Sequence, residues 1–181
     1  MSISSTNGIS KGPNNSSENK VCGGNSGSSH GVIYVIGIGP GYKEEMTPRA
    51  VDALEQSDII VGYNTYIALI KDLIGDKEVV GNGMRQEVDR CQKAVDLAVE
   101  GNKVAVVSSG DPGVYGMAGL VLELIQKVDA QKRPECIVIP GLTAANTSAA
   151  ALGAPLMHDY AVISLSDLMT PWTVSYTHLR A

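Results

Sequence analysis

A run of small and polar residues near the middle of the chain has the composition of a ligand-binding loop. It consists of Ser108, Ser109, Gly110, Asp111, Pro112 and Gly113. The run follows an apolar segment that predicts a strand over residues 103–107, and an apolar helical segment comes directly after it. Glycine lets a ligand approach the backbone closely, and open α/β sheets bind ligands beyond the carboxyl ends of their strands. The alternative is an ordinary strand–helix turn, which also favours Gly, Asp and Pro.

A second glycine-rich loop, Gly-Ile-Gly-Pro-Gly at residues 37–41, follows an apolar segment at residues 32–36. A dinucleotide-binding fingerprint would need glycine where Tyr42 stands. Pro40 also removes a backbone N–H that a pyrophosphate would use, and Asp58 precedes the second predicted strand instead of following it. The loop therefore gives little support to NAD binding, and a plain tight turn is the alternative to a binding loop.

Apolar strand-like segments alternate with helical patterns along residues 31–152. The predicted strands cover residues 32–36, 59–61, 78–80, 103–107 and 135–139. One predicted helix starts at Pro48 with Thr47 as its N-cap; the others cover residues 66–73, 85–99, 114–128 and 143–152. These repeated units predict an α/β fold with a mainly parallel five-stranded sheet and helices on both faces. The loops at residues 37–41, 108–113 and 141–144 then share one edge of the sheet.

Two of the predicted helices carry apolar residues at helical spacing, which predicts a buried face for each. In the helix that starts at Pro48 these residues are Ala50, Val51 and Leu54. In the helix at residues 85–99 they are Val88, Cys91, Val95 and Ala98, and Gly101 stands just past its end.

The composition argues against several classes of protein. Hydrophobic residues make up 44% of the 181 residues, enough for a packed core, and no apolar segment approaches the ~20 residues of a membrane span. The net charge of −5 argues against a nucleic-acid-binding surface. Cys22, Cys91 and Cys136 show neither zinc-site spacing nor an even number for disulfides. We therefore expect a cytoplasmic enzyme with no metal site and no membrane or nucleic-acid partner.

Four motifs follow one another in an order that has a known parallel. They are Gly-Ile-Gly-Pro-Gly at residues 37–41 with Met-Thr-Pro at 46–48, Gly-Met-Arg-Gln-Glu at 83–87, the loop at 108–116, and Pro-Gly-Leu-Thr-Ala-Ala at 140–145. In these motifs the chain resembles the tetrapyrrole methylases, S-adenosylmethionine-dependent enzymes that methylate corrin and sirohaem precursors. Segments at 61–66, 108–119 and 152–160 are most similar to the branch that methylates C17 of precorrin-3B. The resemblance extends over residues 31–172.

The resemblance implies a function and a set of site residues. It implies transfer of a methyl group from S-adenosylmethionine to C17 of a precorrin-3B-type tetrapyrrole, with ring contraction, in cobalamin biosynthesis, by an enzyme that forms a homodimer at full length. The residues that it assigns to the donor are Pro40, Ser109, Gly110, Asp111, Val114, Thr143 and Ala144. It carries over no catalytic residue. From the sequence, Asp111 could equally cap its own turn, and Thr143 could act only as a helix cap.

The acceptor carries several carboxylates, and Met84 and Arg85 are the residues we expect to bind it. Arg85 could hold one carboxylate in a bidentate pair; the alternative is a solvated arginine at a helix start. His158 and Asp159 suggest acid–base chemistry, but their position in a predicted linker favours a hinge or packing role.

The chain divides into four predicted parts. Residues 1–30, rich in Ser, Asn and Gly, predict a disordered tail. Residues 31–154 form the methylase domain and residues 155–160 a linker. Residues 161–181 are expected to begin a truncated second α/β domain, whose first strand covers residues 161–165. Residues 173–181 do not continue the family pattern and are interpreted as non-native, with divergence at a domain edge as the alternative.

Two other functions compete with C17 methylation. One is methylation of another tetrapyrrole or of a non-tetrapyrrole acceptor by the same fold. The other is ligand binding by an inactive fragment, without turnover. Because the second domain is truncated, we expect the 181-residue chain itself to bind the donor poorly and to be inactive.

Overall fold

A computed structural model describes residues 31–83, 86–164, 171, 173 and 174. The predicted tail at residues 1–30 lies outside these residues, as do Met84, Arg85 and residues 175–181. Five strands of the described chain form one sheet in the order β3-β2-β4-β1-β5, and every neighbouring pair is parallel. The strands are β1 (Val32–Gly37), β2 (Ile59–Tyr63), β3 (Glu78–Asn82), β4 (Lys103–Ser108) and β5 (Glu135–Ile139).

Six α-helices of the described chain connect or follow these strands, and a short 3₁₀ helix (Lys43–Glu45) precedes the first of them. They are α1 (Pro48–Gln56), α2 (Asn64–Leu69), α3 (Lys71–Ile74), α4 (Glu87–Val99), α5 (Ala118–Gln126) and α6 (Ala144–Leu152). The predicted α/β fold with a parallel five-stranded sheet and helices on both faces is therefore confirmed.

Alternate residues of the strands build two separate apolar cores. On β1, Ile33 and Val35 pack with residues of α4 and α5 on one face. Ile36 packs with residues of α1, α3 and β4 on the other. This division follows from the period of two along a strand, because successive side chains point to opposite faces. Strands buried on both faces are almost wholly apolar, as the sequence of β4 shows.

The strand order explains which helices cover which face. The chain moves in one direction across the sheet from β1 to β2 to β3, and in the other from β3 to β4 to β5. Right-handed crossovers then put α1, α2 and α3 on one face and α4 and α5 on the other. The reversal brings the carboxyl ends of β4, β1 and β5 together as neighbours, and such a switch point is where open α/β sheets bind ligands.

The first helix begins where its sequence predicts. The Thr47 side chain accepts a hydrogen bond from the backbone N–H of Ala50 at 3.1 Å, and Pro48 occupies the first helical position. Ala50 and Leu54 are fully buried, and Val51 packs against the same core while partly exposed. The cap, the proline and the apolar face thus all lie where the sequence predicts them for this helix.

Two helix predictions are wrong in part. The helix predicted over residues 114–128 starts only at Ala118, because Tyr115 has φ of 53°, a left-handed conformation that a helix cannot contain. The single helix predicted over residues 66–73 is two, because the backbone at the buried Ile70 turns to φ −110° and ψ 12°.

The buried face of α4 differs from the prediction at its first turn. Cys91, Val95 and Ala98 are buried as expected, but Val88 is 59% exposed. At 100° per residue, Val88 lies on the margin of the face that Cys91 and Ala98 define. Arg90, on the opposite margin, is 2% exposed.

The strand predicted over residues 161–165 is wrong for its described part, since residues 161–164 belong to no strand. A strand needs a hydrogen-bonded neighbour. Here the carbonyl oxygen of Val162 instead accepts a hydrogen bond from the Tyr115 hydroxyl at 2.9 Å. The segment therefore contacts the loop that follows β4 and does not extend the sheet.

Candidate functional site

Three loops meet at the carboxyl edge of the sheet, as the sequence predicts. The backbone N–H of Ile38 donates to the carbonyl of Ser108 at 3.0 Å, which continues the pairing of β1 with β4. Gly39 and Gly110 then exchange two backbone hydrogen bonds, 3.1 Å and 2.8 Å long, in an antiparallel bridge. The loops after β1 and β4 are thus one hydrogen-bonded unit.

The side chain of Asp111 adds the third loop to this unit. One carboxylate oxygen accepts from the backbone N–H of Gly113 at 2.7 Å, which closes the turn after β4. The other accepts from the backbone N–H of Gly141 at 3.1 Å, in the loop that joins β5 to α6. Asp111 is therefore a structural tie between two loops, and this bears out the turn-capping alternative for it.

The loops also meet by direct contact of their backbones. A Cβ atom added to Gly37 would lie 2.6 Å from the carbonyl oxygen of Gly110 and 2.7 Å from the backbone nitrogen of Gly141. No side chain fits into that space, so the close approach of the backbones requires glycine at position 37.

A cleft of about 360 Å³ opens beside this junction. That volume lies within the ~300–1,000 Å³ typical of small-molecule sites. Six of the seven residues assigned to the donor line it, namely Ser109, Gly110, Asp111, Val114, Thr143 and Ala144. The seventh, Pro40, lies half-buried in the loop after β1 and is not part of the lining. The lining also contains six residues that were not assigned to the donor from the sequence, although Ser108, Tyr115 and Ala145 belong to the motifs. The six are Tyr66, Ser108, Tyr115, Ala145, Tyr160 and Val162.

Thr143 combines two positions that the sequence left as alternatives. Its hydroxyl oxygen accepts from the backbone N–H of Asn146 at 3.3 Å and so caps α6. The same residue lines the cleft. The positive end of the helix dipole of α6 thus faces the cleft, which favours a negatively charged group of a ligand there.

Tyr115 forms part of the wall between this cleft and a second pocket. It lines both spaces, as do Tyr66 and Ser108. A bulky residue with positive φ is strained, and such strain is common at binding sites. The motif around residue 110 contained this tyrosine, but no local pattern predicts its conformation.

The second pocket has a volume of about 170 Å³ and contains an unusual arginine. Its lining includes Arg90, Glu87, Tyr63 and Met117. The Arg90 guanidinium donates to the carbonyl oxygen of Gly83 at 3.0 Å and to the sulfur of Met117 at 3.6 Å. Its Nε–H is buried and has no hydrogen-bond partner.

The remaining predicted site residues form two groups, one outside the described residues and one exposed at the surface. Met84 and Arg85 lie outside the described residues. His158 and Asp159 are exposed and line neither the cleft nor the second pocket.

The two described cysteines are unsuited to act as nucleophiles. Burial raises the pKa of the Cys91 thiol to about 11, a rise that the neighbouring charge of Arg90 only partly offsets. Burial also raises the pKa of Cys136 to about 11. Both thiols are therefore protonated at neutral pH, and only the thiolate is a strong nucleophile.

Two other features are absent from the described residues. No group of three or more His, Cys, Asp or Glu side chains there could hold a metal ion. No helix in the described part of the chain is long and apolar enough to cross a membrane.

Comparison with known proteins gives matches over most of the chain. A sequence model described as "Tetrapyrrole (Corrin/Porphyrin) Methylases" matches residues 32–180, a range that continues past Trp172. The chain is 54% identical over 145 residues to the "Probable cobalt-factor III C(17)-methyltransferase" of Salmonella typhimurium, a match that covers 79% of this chain and 58% of that protein. It is 43% identical over 151 residues to the precorrin-3B C(17)-methyltransferase of a Sinorhizobium species, covering 83% and 59%.

A solved structure agrees with these sequence matches. The crystal structure of the methyltransferase CobJ superposes with a TM-score of 0.73 at 38% identity, covering 83% of this chain and 62% of that one. The chain thus spans about three fifths of the length of these relatives.

Proposed function

The chain belongs to the tetrapyrrole methylase family, and from this premise we propose that it carries the donor-binding half of an S-adenosylmethionine-dependent methyltransferase. In this proposal the acceptor is a precorrin-3B-type tetrapyrrole, and the methyl group goes to C17 with contraction of the ring, in cobalamin biosynthesis. Residues 31–154 supply most of the donor site, and Tyr160 and Val162 complete its lining.

One observation carries the proposal: six of the seven residues assigned to the donor, from two motifs far apart in sequence, line a single cleft at the switch point of the sheet. The donor contains an amino acid with a carboxylate, and the amino-terminal end of α6 faces the cleft. Capping by Thr143 leaves other first-turn N–H groups of α6 without helical partners, and these suit a carboxylate.

The donor supplies an electrophilic methyl group on a sulfonium that is its own leaving group. What remains for the protein is orientation. The hydrogen bonds of Gly39 with Gly110 and of Asp111 with Gly141 fix the loops before the ligand arrives. Fixed loops hold reacting atoms at near-attack distances of about 3–3.5 Å, which accounts for a large share of a transfer enzyme's rate.

The relatives also favour one form of the acceptor. Identity is 54% to the relative named for cobalt-factor III and 43% to the one named for precorrin-3B. We therefore expect the cobalt-bearing tetrapyrrole to be the better acceptor of the two.

Titration with S-adenosylhomocysteine, the demethylated donor, tests the donor site. Gly110 has φ of +64°, a conformation that a β-branched side chain rarely adopts. Gly110→Val should therefore shift the loop and weaken binding by about tenfold or more. Gly153→Val is the matched control, because Gly153 has φ of +63° but stands outside the cleft lining, with open space around its Cβ position.

Equal affinities of the two glycine variants would remove the loop after β4 from the donor site. Incubation of the protein with labelled donor and either cobalt-factor III or precorrin-3B tests the acceptor. Methylation of neither compound, in the presence of measured donor binding, would favour either another acceptor for the same fold or donor binding without turnover.

A further inference from the structure

Arg90 is the buried arginine of the second pocket, and its charge has no partner of opposite sign within the described chain. Its exposed fraction is 2%, and the ion pair found among the described residues joins Lys127 and Glu123 on the surface. Glu87 lines the same pocket as Arg90 but forms no ion pair with it. A buried guanidinium in this state is rare, since buried charges are nearly always paired.

The neutral groups around Arg90 accept hydrogen bonds from only some of the N–H donors of its guanidinium. It carries five N–H donors. One donates to the carbonyl oxygen of Gly83, and one to the sulfur of Met117, which is a weak acceptor. The buried Nε–H donates to nothing. These contacts fix the side chain in place and leave part of its fork of donors free.

The surroundings of Arg90 add a second feature that suits an anion. Arg90 lies in the first turn of the 13-residue helix α4, and no side chain caps the amino-terminal end of that helix. The positive end of the helix dipole therefore adds to the charge of the guanidinium at the pocket, and the carboxylates of Glu87 and Asp89 in the same turn offset part of that field. The pocket adjoins the larger cleft, sharing Tyr66, Ser108 and Tyr115 with it.

From these observations we propose that Arg90 binds a carboxylate of the tetrapyrrole acceptor, in the pocket between Tyr66 and the start of α4. The proposal rests on the proposed function, because the ligand in the adjoining cleft is taken to be the methyl donor. An arginine holds a carboxylate through parallel N–H···O bonds, and a bound carboxylate neutralises the buried charge. Arg90 is thus a binding and orienting residue.

Two variants of Arg90, one control variant and one probe test the proposal on the whole chain. The probe is uroporphyrin, a stable tetrapyrrole with acetate and propionate side chains, titrated by the quenching of its fluorescence. Arg90→Met removes the charge and keeps an apolar side chain of similar length. It should raise the dissociation constant for uroporphyrin about tenfold or more, as expected for loss of a charge-assisted hydrogen bond. Affinity for S-adenosylhomocysteine should stay within about twofold.

Arg133→Met is the matched control. Arg133 is an exposed arginine that donates to the carbonyl oxygens of Gln126 and Val128, away from both pockets. It should leave uroporphyrin affinity unchanged. Arg90→Lys keeps the charge but loses the fork of donors, so it should remain folded with reduced affinity.

Each outcome decides for or against the proposal. Unchanged uroporphyrin affinity in Arg90→Met, or no uroporphyrin binding by the wild-type chain, overturns it. Loss of thermal stability together with loss of both ligands would show a structural role. If Arg90→Met does not fold, an affinity of Arg90→Lys equal to that of the wild type contradicts a bidentate role. Failure to bind S-adenosylhomocysteine with Arg90-dependent uroporphyrin binding would instead count against the proposed donor site alone.

Discussion

The carboxylate of Asp111 accepts a hydrogen bond from the backbone N–H of Gly141 at 3.1 Å, across 30 positions of sequence. This contact joins the loop after β4 to the loop before α6, and the cleft lies between them. A carboxylate that accepts from backbone N–H groups is a stronger tie than a neutral acceptor. The loops of the proposed donor site are therefore organised through a side chain that also lines the cleft.

Asp111→Ala should destabilise the protein by about 2–3 kcal/mol, because the N–H groups of Gly113 and Gly141 both lose their acceptor. Affinity for S-adenosylhomocysteine should fall as well. Asp129→Ala is the matched control: Asp129 accepts from the backbone N–H of Gln131 at 2.8 Å in a similar exposed turn that is joined to no second loop. Urea denaturation and calorimetry measure the two effects. A loss no larger than that of Asp129→Ala would show that the bond to Gly141 contributes little.

Asp129 accepts a hydrogen bond within its own turn, whereas Asp111 also accepts one from a second loop. Local contacts of the first kind could be predicted from the sequence, and contacts of the second kind could not. Strand β5 at residues 135–139 and the Thr47 cap of α1 follow from patterns within a few residues, and the structure confirms both. The turn at Asp111 is local too. Its bond to Gly141 depends on the strand order, because β4 and β5 are separated by β1, and no local pattern specifies that order.

Arg90 escaped prediction for a related reason. An arginine beside an apolar face normally extends its charged end to solvent, so nothing in the sequence position of Arg90 singled it out. Burial of Arg90 depends on the second pocket, which Tyr63, Tyr66 and Met117 close from other elements. The late start of α5 likewise depends on the backbone of Tyr115. The departures at Tyr115, Arg90 and Val162 lie at the two pockets, where contacts between distant parts of the sequence override local preference.

Gly37→Ala should lower stability by about 1–3 kcal/mol, the usual cost of overpacking. The atoms that its methyl group would meet belong to the backbones of Gly110 and Gly141, which cannot move without displacing the loops. Donor affinity should fall together with stability.

Gly119→Ala is the control for Gly37→Ala, and it should change stability in the opposite direction. Gly119 is exposed within α5, and a Cβ atom there would meet nothing within 4 Å. The substitution should raise stability by about 0.5–1 kcal/mol through helix propensity. Thermal denaturation of both variants gives the comparison, and a neutral Gly37→Ala would show that the loop junction adapts.

Stability should fall in alkaline solution because of the buried thiols. Burial raises the pKa of Cys91 from its usual value near 9 to about 11. A raised pKa means that the folded state favours the protonated thiol. The contribution is therefore complete below pH 9 and is lost as the pH rises through 11. The maximum loss at this thiol is about 2–3 kcal/mol.

Denaturation with urea between pH 8 and pH 11 measures this effect. In Cys91→Ala the alkaline loss of unfolding free energy should be smaller than in the wild type, whatever the stability of the variant at pH 8. Cys136 also has a pKa raised to about 11 by burial, so some alkaline loss should persist in that variant. Identical slopes for wild type and Cys91→Ala would contradict the assignment of the loss to Cys91.

Substitutions of two capping threonines distinguish helix capping from ligand binding. Thr143 caps α6 by accepting from Asn146 at 3.3 Å, and Thr47 caps α1 by accepting from Ala50 at 3.1 Å. Only Thr143 lines the cleft. Replacement of either threonine by alanine should cost about 1 kcal/mol of stability, the usual value for an N-cap. Affinity for S-adenosylhomocysteine should fall several-fold in Thr143→Ala and remain unchanged in Thr47→Ala.

Thr143→Ser distinguishes the two roles within one residue, because serine keeps the capping hydroxyl and removes only a methyl group. It should retain both stability and donor affinity if the hydroxyl matters for each. Weak donor binding by a stable Thr143→Ser would assign the contact to the methyl group. Equal donor affinities for Thr143→Ala and the wild type would leave Thr143 with the capping role alone and would move the donor away from the start of α6.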